Sequence, residues 1–327
     1  MSQNDLIELL PTASTLNGFA DDVKAGLLAT PKRLSCRFFY DDHGSKIFEE
    51  ICALPEYYLT RAEQEILKTN ANQIAARLPA DTTLLELGSG SAIKTRILIE
   101  ALIGQQGILQ FVPIDISPTI LEQSARELQQ HYPKLEVNPV AAEYREGLVR
   151  ARQLVSGPKL ILWLGSNIGN FERDDAARFL SQVGRCMSRD DLLLVGVDLR
   201  KDKLVLETAY DDPAGVTARF NLNILNRINR DLGGTFDLSR FRHEAIYNDD
   251  EGRVEMYLVS DVPQNVSIER LNWSVEIGMD EAIHTENSYK YSLAEIDRLA
   301  ERSGLSLAEQ WFDNRGQFSL NMFSAVD

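Results

Sequence analysis

Two short stretches combine residue types able to hold small polar molecules. In LLELGSGS, Gly88 and Gly90 directly follow an apolar run. Glycine tolerates a tight turn and lets the backbone approach a ligand, and the amides that open a following helix favour a negative group. The next apolar run, ILQFVPIDIS at 108–117, ends in Asp115. An acid there stands at the same sheet edge as the glycine turn and can accept two ribose hydroxyls. Glu143 closes a third run, LEVNPVAAEY, and is placed to face an adenine edge. The full GxGxxG dinucleotide signature is absent, because position 93 is isoleucine. Taken singly, the glycines are equally a plain strand-to-helix turn and Asp115 a helix cap. The second stretch, IHTENSYKYS at 283–292, packs His284, Thr285, Glu286, Asn287, Ser288, Tyr289 and Tyr291 into a few positions. It reads either as an ordinary loop or as the wall of a pocket.

These residues need a scaffold. EQEILKTNANQIAARL, 63–78, repeats Ile66, Leu67, Ile74 and Leu78 at helical spacing until proline and aspartate break it. TTLLELGSGSAIKTRILIEAL then reads strand, turn, helix. The run at 108–117 is a second strand, with Ser117 capping a helix opened by Pro118. LEVNPVAAEY, KLILWLGSNIGNF (159–171) and DLLLVGVDL (191–199) are a third, fourth and fifth strand. Strands apolar throughout and alternating with helices mark a parallel sheet covered on both faces. The alternation stops near 200. DDPAGVTARFNLNILNRINRDLGG predicts one long helix with Asp212 as cap, Pro213 in its first turn and Gly233–Gly234 as its stop. RVEMYLVSD and VSIERLNWSVEI read as antiparallel strands, Ser292 and Glu295 as a capping box, and the tail as two strands around a polar turn. The expected organisation is a sheet domain over 66–200 and 291–327, interrupted by an insert at 201–290 that the first 65 residues join.

Composition narrows the function. The chain has 327 residues, enough for a sizeable core in one or two domains, and a net charge of -15. So acidic a protein lacks the basic surface that phosphate contacts demand, so no nucleic-acid partner is expected. Cys36, Cys52 and Cys186 form no CxxC pair; they read as free thiols in a reducing, cytoplasmic setting. MSQNDLIELLP lacks the features of a signal peptide, and no run approaches the ~18 apolar residues of a membrane span. The four histidines are dispersed, with no ligand spacing, so no metal is assigned.

ELGSG and IDIS together resemble the class I S-adenosylmethionine-dependent methyltransferases. The resemblance implies a Rossmann-like α/β sheet domain and S-adenosylmethionine as cofactor. Glu86, Gly88 and Gly90 would line its carboxypropyl end, and Ser89, Lys94, Asp115, Glu143 and Tyr144 would complete its site. A closer likeness runs through most of the chain. FYDxxGSxxFExIxxLPEYYxTRxE, LGSNIGNF, AYDDPAGVTARFNLNIL, RVEM and HTENSYKY resemble the histidine Nα-methyltransferases of ergothioneine biosynthesis. What this implies is trimethylation of the α-amino group of L-histidine to hercynine, by an enzyme with a second, α+β substrate-binding domain. The sequence leaves the oligomeric state open, with a monomer the favoured expectation.

Residue by residue, the resemblance places Tyr57 beside the substrate, Asn170 and Tyr210 on its carboxylate, and Glu286 and Ser288 on its imidazole. Tyr40 and Phe48 would line the cavity, Met256 would pack near the ring, and Gly165 would offer backbone beside substrate and cofactor. Tyr40 and Tyr57 are also the candidates to relay the amine proton. Asn167 stands where the family pattern has threonine. That departure keeps open a methyltransferase of the same architecture acting on another amino acid or small amine.

Overall fold

The computed structural model describes residues 16–326; MSQNDLIELLP, and so the start of the expected 1–65 segment, lies outside the described residues. Three helices come first: α1 (Leu16–Leu28), α2 (Asp42–Ala53) and α3 (Leu59–Ala75). Next comes the alternating run β1 (Thr83–Leu87), α4 (Arg96–Gln106), β2 (Leu109–Asp115), α5 (Pro118–His131), β3 (Leu135–Val137), β4 (Val140–Ala141), α6 (Tyr144–Leu154), β5 (Lys159–Trp163), α7 (Arg173–Cys186) and β6 (Leu192–Asp198). After it come α8 (Lys203–Tyr210), α9 (Val216–Leu232), β7 (Phe241–Asn248), β8 (Arg253–Ser260), β9 (Gln264–Ile268), β10 (Trp273–Ile277) and β11 (Ala282–Tyr289). The chain closes with α10 (Leu293–Ser303), β12 (Leu305–Phe312) and β13 (Phe318–Ala325).

One large sheet has the order β12-β13-β6-β5-β1-β2-β3, with β4 also pairing β2. Strands β1, β2, β3, β5 and β6 are parallel, and β13 inserts antiparallel between β6 and β12. Every residue of β1 and β5 is buried, as a sheet covered on both faces requires. The pleat divides their side chains. Leu84, Leu160 and Leu162 join one core with Ile66 and Leu67 of α3 and Leu98 of α4. Leu85, Ile161 and Trp163 join another with Leu148 of α6, Phe179 of α7 and Ile296 of α10. The first core continues past the sheet edge into α1, α2, α9 and the sheet β11-β8-β7 through Phe39, Phe220, Ile224 and Leu258.

Several expected elements form as read. Ser117 caps α5 through the Ile120 amide with Pro118 at its start. The Ser292–Glu295 capping box opens α10, and Gly233 stops α9 in the left-handed conformation. Others differ. The third run divides at Asn138–Pro139 into β3 and β4, since proline cannot donate to the ladder. The fourth is strand only to Trp163. Gly165 and Ser166 then take positive φ (76° and 56°), and Asn167–Asn170 forms a 3-10 turn. Pro213 lies ahead of α9, whose first amides at Val216 and Thr217 are held by Asp212 at 2.9 and 2.7 Å. IHTENSYKYS is mostly a strand: β11 pairs with β8, with a bulge between His284 and Glu286.

Candidate active site

The glycine turn is built from the sheet outward. The Gly88 amide donates to the Ile114 carbonyl at 2.8 Å, tying the turn to β2. Gly88 has φ 70°, and a Cβ there would lie 2.9 Å from the Tyr144 hydroxyl and 3.0 Å from Asn167 Nδ2. Glu86 is buried beneath the turn and accepts from Ser89 Oγ at 2.8 Å and Thr95 Oγ1 at 2.7 Å. Burial pushes its carboxyl up to about 7, against the pull of those two hydroxyls. Asp115, at the end of β2, accepts from the Gly90 amide at 2.9 Å and the Ser117 amide at 3.0 Å. Burial raises its pKa more than these amides lower it. Lys94 pairs with the fully buried Glu63, which also takes the Gly165 amide at 2.9 Å. Glu143 precedes α6 and lies 3.8 Å from Arg37, while Tyr144 packs its ring on Trp163 and Phe171.

A turn closed to a Cβ at Gly88, a carboxylate at the tip of β2 and a lysine beside Gly165 fit an adenosyl amino-acid cofactor. Asp115 suits the ribose hydroxyls and Lys94 suits a carboxylate, while the amides of Gly88, Ser89 and Gly90, already given to Ile114 and Asp115, fix the shape of the turn.

A second cavity opens where the turn after β5 meets α2, α8, α9, β8 and β11. Tyr40, Phe48, Tyr57, Gly165, Asn167, Asn170, Tyr210, Met256, Glu286 and Ser288 all line it. So every residue assigned to the substrate from sequence borders one space. Edge-on rings build the aromatic side: Tyr40–Phe48 at 5.6 Å, Tyr40–Phe220 at 5.5 Å and Tyr57–Tyr210 at 6.1 Å between centroids. Met256 and Glu286 are cross-strand partners, and Ser288 follows Glu286 on the same face of β11. The bulge at Thr285, whose hydroxyl donates to the Met256 carbonyl at 3.0 Å, sets that face toward the cavity.

Glu286 is 7% exposed and accepts no hydrogen bond from any described residue. Burial pushes its pKa up to about 7, with Lys290 pulling the other way. Burial, with Glu286 as a second contribution, holds the Tyr40 phenol well above its usual pKa; burial and Tyr210 do the same to Tyr57. Both phenols therefore stay protonated, and neither acts as a standing base.

Behind the cavity lies a cluster that motif reading passed over. Lys290 donates to Tyr210 Oη at 2.8 Å and Ser288 Oγ at 2.9 Å, and pairs with Asp198 at 3.0 Å. Tyr210 and Ser288 touch each other at 2.8 Å. Asp198 also takes the Tyr58 hydroxyl at 2.7 Å and pairs with Lys201. Burial opposes the Asp198 charge, but Lys290 and Lys201 hold its carboxyl below the usual range. Burial likewise opposes the Lys290 charge, yet Tyr210 and Asp198 raise its pKa above the ordinary lysine value. Two signals were available: Lys290 sits inside HTENSYKY, and Asp198 ends the fifth strand at the edge that carries Asp115. Thr217, also on the cavity wall, is buried beside Asp212, which takes its amide at 2.7 Å; only its place in the cap of α9 hinted at it.

The strand order with its antiparallel β13, the glycine turn and the acid at the tip of β2 define a class I methyltransferase that uses S-adenosylmethionine. A model of the family described as histidine-specific methyltransferase, SAM-dependent, matches residues 19–325, and the chain belongs to that family. It is 40% identical to a histidine N-alpha-methyltransferase of Mycobacterium tuberculosis (strain CDC 1551 / Oshkosh), over 92% of this chain and 93% of the relative. It is 38% identical to a protein of the same name from Mycolicibacterium smegmatis (strain ATCC 700084 / mc(2)155), over 97% and 98%. A Neurospora crassa protein named ergothioneine biosynthesis protein 1 is 32% identical over 86% of this chain, which spans 32% of that longer relative. Among the described residues no helix is long and apolar enough to cross a membrane.

Proposed function

We propose that this chain is an L-histidine Nα-methyltransferase that makes hercynine, the trimethylated betaine, for ergothioneine biosynthesis. The observation that carries the reading is Glu286, a buried carboxylate with no hydrogen-bond partner among the described residues, facing a cavity beside the glycine turn. A buried charge left unpaired is costly, and an imidazole N–H supplies the missing partner. The opposite demand comes from Tyr210. Lys290 backs its hydroxyl, which makes that pole attractive to an anion, and Ser288 is less suited because it neighbours Glu286 on the strand. In this reading Tyr210 and Asn170 grip the substrate carboxylate, Glu286 and Ser288 grip the ring, and Met256 packs on it.

S-adenosylmethionine supplies an activated methyl group and a neutral thioether leaving group. Asp115, Lys94, Glu143 and Tyr144 hold it against the backbone of Gly88 and Gly90, with Glu86 and Ser89 keeping the turn in shape. The rest of the protein's work is placement. Each transfer needs the amine without one proton; an α-amine titrates near 8 at a chain terminus and higher beside the carboxylate of a free amino acid, so the zwitterion must give up a proton first. Tyr40 and Tyr57, protonated phenols on the cavity wall, pass the proton on rather than hold it. Gripping the substrate at both ends leaves the nitrogen free to turn as it gains methyls, and the surrounding rings suit the final quaternary cation. Of the described residues, 16–65 and 201–290 form the substrate domain in this scheme and 66–200 with 291–326 the cofactor domain, in a monomer with free thiols suited to the cytoplasm.

Asn167 favours one second reading. Its amide borders both Gly88 and Gly165, where another residue type would alter the space around the amine, and a different amino acid or small amine would then be the substrate. The test is a screen of the twenty amino acids with isotopically labelled cofactor, followed by mass. The expected result is a gain of three methyl groups by histidine and none by the others; methylation of another amino acid in preference to histidine would overturn the assignment.

A further inference from the structure

The triangle Tyr210–Ser288–Lys290 restricts what the cavity can offer. An ammonium has three donors and no acceptor. Those of Lys290 are taken by Tyr210 Oη, Ser288 Oγ and Asp198. The two hydroxyls own one hydrogen each, and one of the two lies in their mutual contact at 2.8 Å. A single hydroxyl hydrogen is left for a ligand. If it is that of Tyr210, Ser288 donates to Tyr210 and shows the cavity a lone pair. If it is that of Ser288, Tyr210 shows the lone pair. The pair presents one donor and one acceptor, never two donors.

A substrate carboxylate at Tyr210 needs the Tyr210 hydrogen, because a lone pair there repels it. Ser288 is then an acceptor, and Glu286 beside it is an acceptor as well. A neutral imidazole has one N–H and one bare nitrogen, so it satisfies only one of these two. We infer that the site takes histidine with its ring doubly protonated, an imidazolium donating one N–H to Glu286 and the other to Ser288. The inference rests on the histidine reading and refines it: the ring and Glu286 together keep one proton that a neutral ring facing a carboxylate would lack.

The groups facing Glu286 leave it as the titrating partner. Cys36 and Tyr40 before α2, Tyr57 before α3 and Tyr210 on α8 are all held neutral, chiefly by burial. Lys290 stays charged and is matched by Asp198. The empty enzyme, with Glu286 near 7, and free ligand, with a ring near 6.5, hold less than one proton between them above neutrality and more than one below it. Binding then takes up a proton at high pH and releases one at low pH.

Calorimetry tests this with Nα,Nα,Nα-trimethylhistidine, whose nitrogen cannot titrate. The titration is run with saturating S-adenosylhomocysteine in buffers of differing ionisation enthalpy. The expected linkage is uptake of roughly 0.9 proton at pH 8 and release of about 0.7 at pH 6. In Y210F the Ser288 hydrogen is freed to donate to a neutral ring, so uptake at pH 8 falls toward zero while binding weakens. On the wild-type enzyme, a 1,2,4-triazole analogue of histidine, whose ring stays neutral, should bind roughly 10- to 100-fold more weakly than histidine at pH 7. Binding of the betaine without proton uptake at pH 8, or triazole affinity equal to that of histidine, overturns the inference and leaves the substrate reading standing. If neither histidine nor its betaine binds, the substrate reading fails and the inference with it.

Discussion

Glu86 and Glu286 are two buried carboxylates that burial pushes to about the same pKa, near 7, yet their surroundings differ. Under the glycine turn, Glu86 has a hydroxyl on each oxygen, from Ser89 and Thr95. In the second cavity Glu286 has none from any described residue. The cofactor side repeats the first pattern: Asp115 is matched by two backbone amides, Glu63 by Lys94 and the Gly165 amide. That half of the site is finished within the protein and offers the spare lone pairs of groups already fixed. The substrate half is unfinished at one carboxylate and over-determined behind it, where Lys290 has no donor to spare. A pKa alone does not separate a structural acid from a recognition acid; its hydrogen-bond ledger does.

The sharpest way to break this contrast is on the cofactor side. D115A removes the carboxylate we assign to the ribose and frees the Gly90 and Ser117 amides that it holds. With two hydrogen bonds to a charge lost, the dissociation constant for S-adenosylhomocysteine should rise roughly a hundredfold or more, while KM for histidine at saturating cofactor changes little. Calorimetric titration checks it. Unchanged cofactor affinity would remove Asp115 from the site, and an equal loss for both ligands would erase the division between the two halves.

Stability offers a second lever. A glutamate whose folded pKa lies above its unfolded value of about 4.5 helps the fold below that value and loses its contribution as pH rises through the folded pKa. Glu286 at about 7 should therefore destabilise the ligand-free enzyme at pH 8. E286Q should be more stable than wild type there by up to about 3 kcal/mol, and similar to it near pH 4. E86Q should lose the same pH dependence yet be less stable than E286Q at both pH values, because an amide accepts at only one atom and its NH2 faces one of the two hydroxyls that now donate to Glu86. Urea unfolding at the two pH values reads both; equal gains would mean that the two acids differ in nothing that matters.

The smallest expected effect is none. Since the chemistry assigned here needs no metal and the histidines are scattered, EDTA should leave the methyl-transfer rate unchanged; a loss restored by one divalent ion would contradict the scheme.

What the sequence made legible was local. Gly88 and Gly90 after an apolar run, Asp115 at a strand end, the Ser292–Glu295 box and the Gly233 stop each follow from neighbours a few residues apart. The cavity residues were legible only through family likeness, because Tyr40, Tyr57, Asn170, Tyr210, Met256 and Glu286 come from six separate segments and no spacing rule joins them. The network behind them escaped notice for the same reason: Tyr58, Asp198, Lys201 and Lys290 meet only when the end of β6 comes beside the end of β11. β7 was missed because its solvent pattern alternates weakly, with only Phe241 and Tyr247 buried. The bulge at Thr285, which aims Glu286, depends on register with β8 and leaves no mark in composition.

The central claim is that Glu286 reads the imidazole, and steady-state kinetics of E286A test it most directly. Loss of one hydrogen bond to a charged partner, worth roughly 1.5 to 3 kcal/mol, should raise KM for histidine by about one to two decades, with the dissociation constant for S-adenosylhomocysteine nearly unchanged. An E286A enzyme with the wild-type KM for histidine would contradict the account.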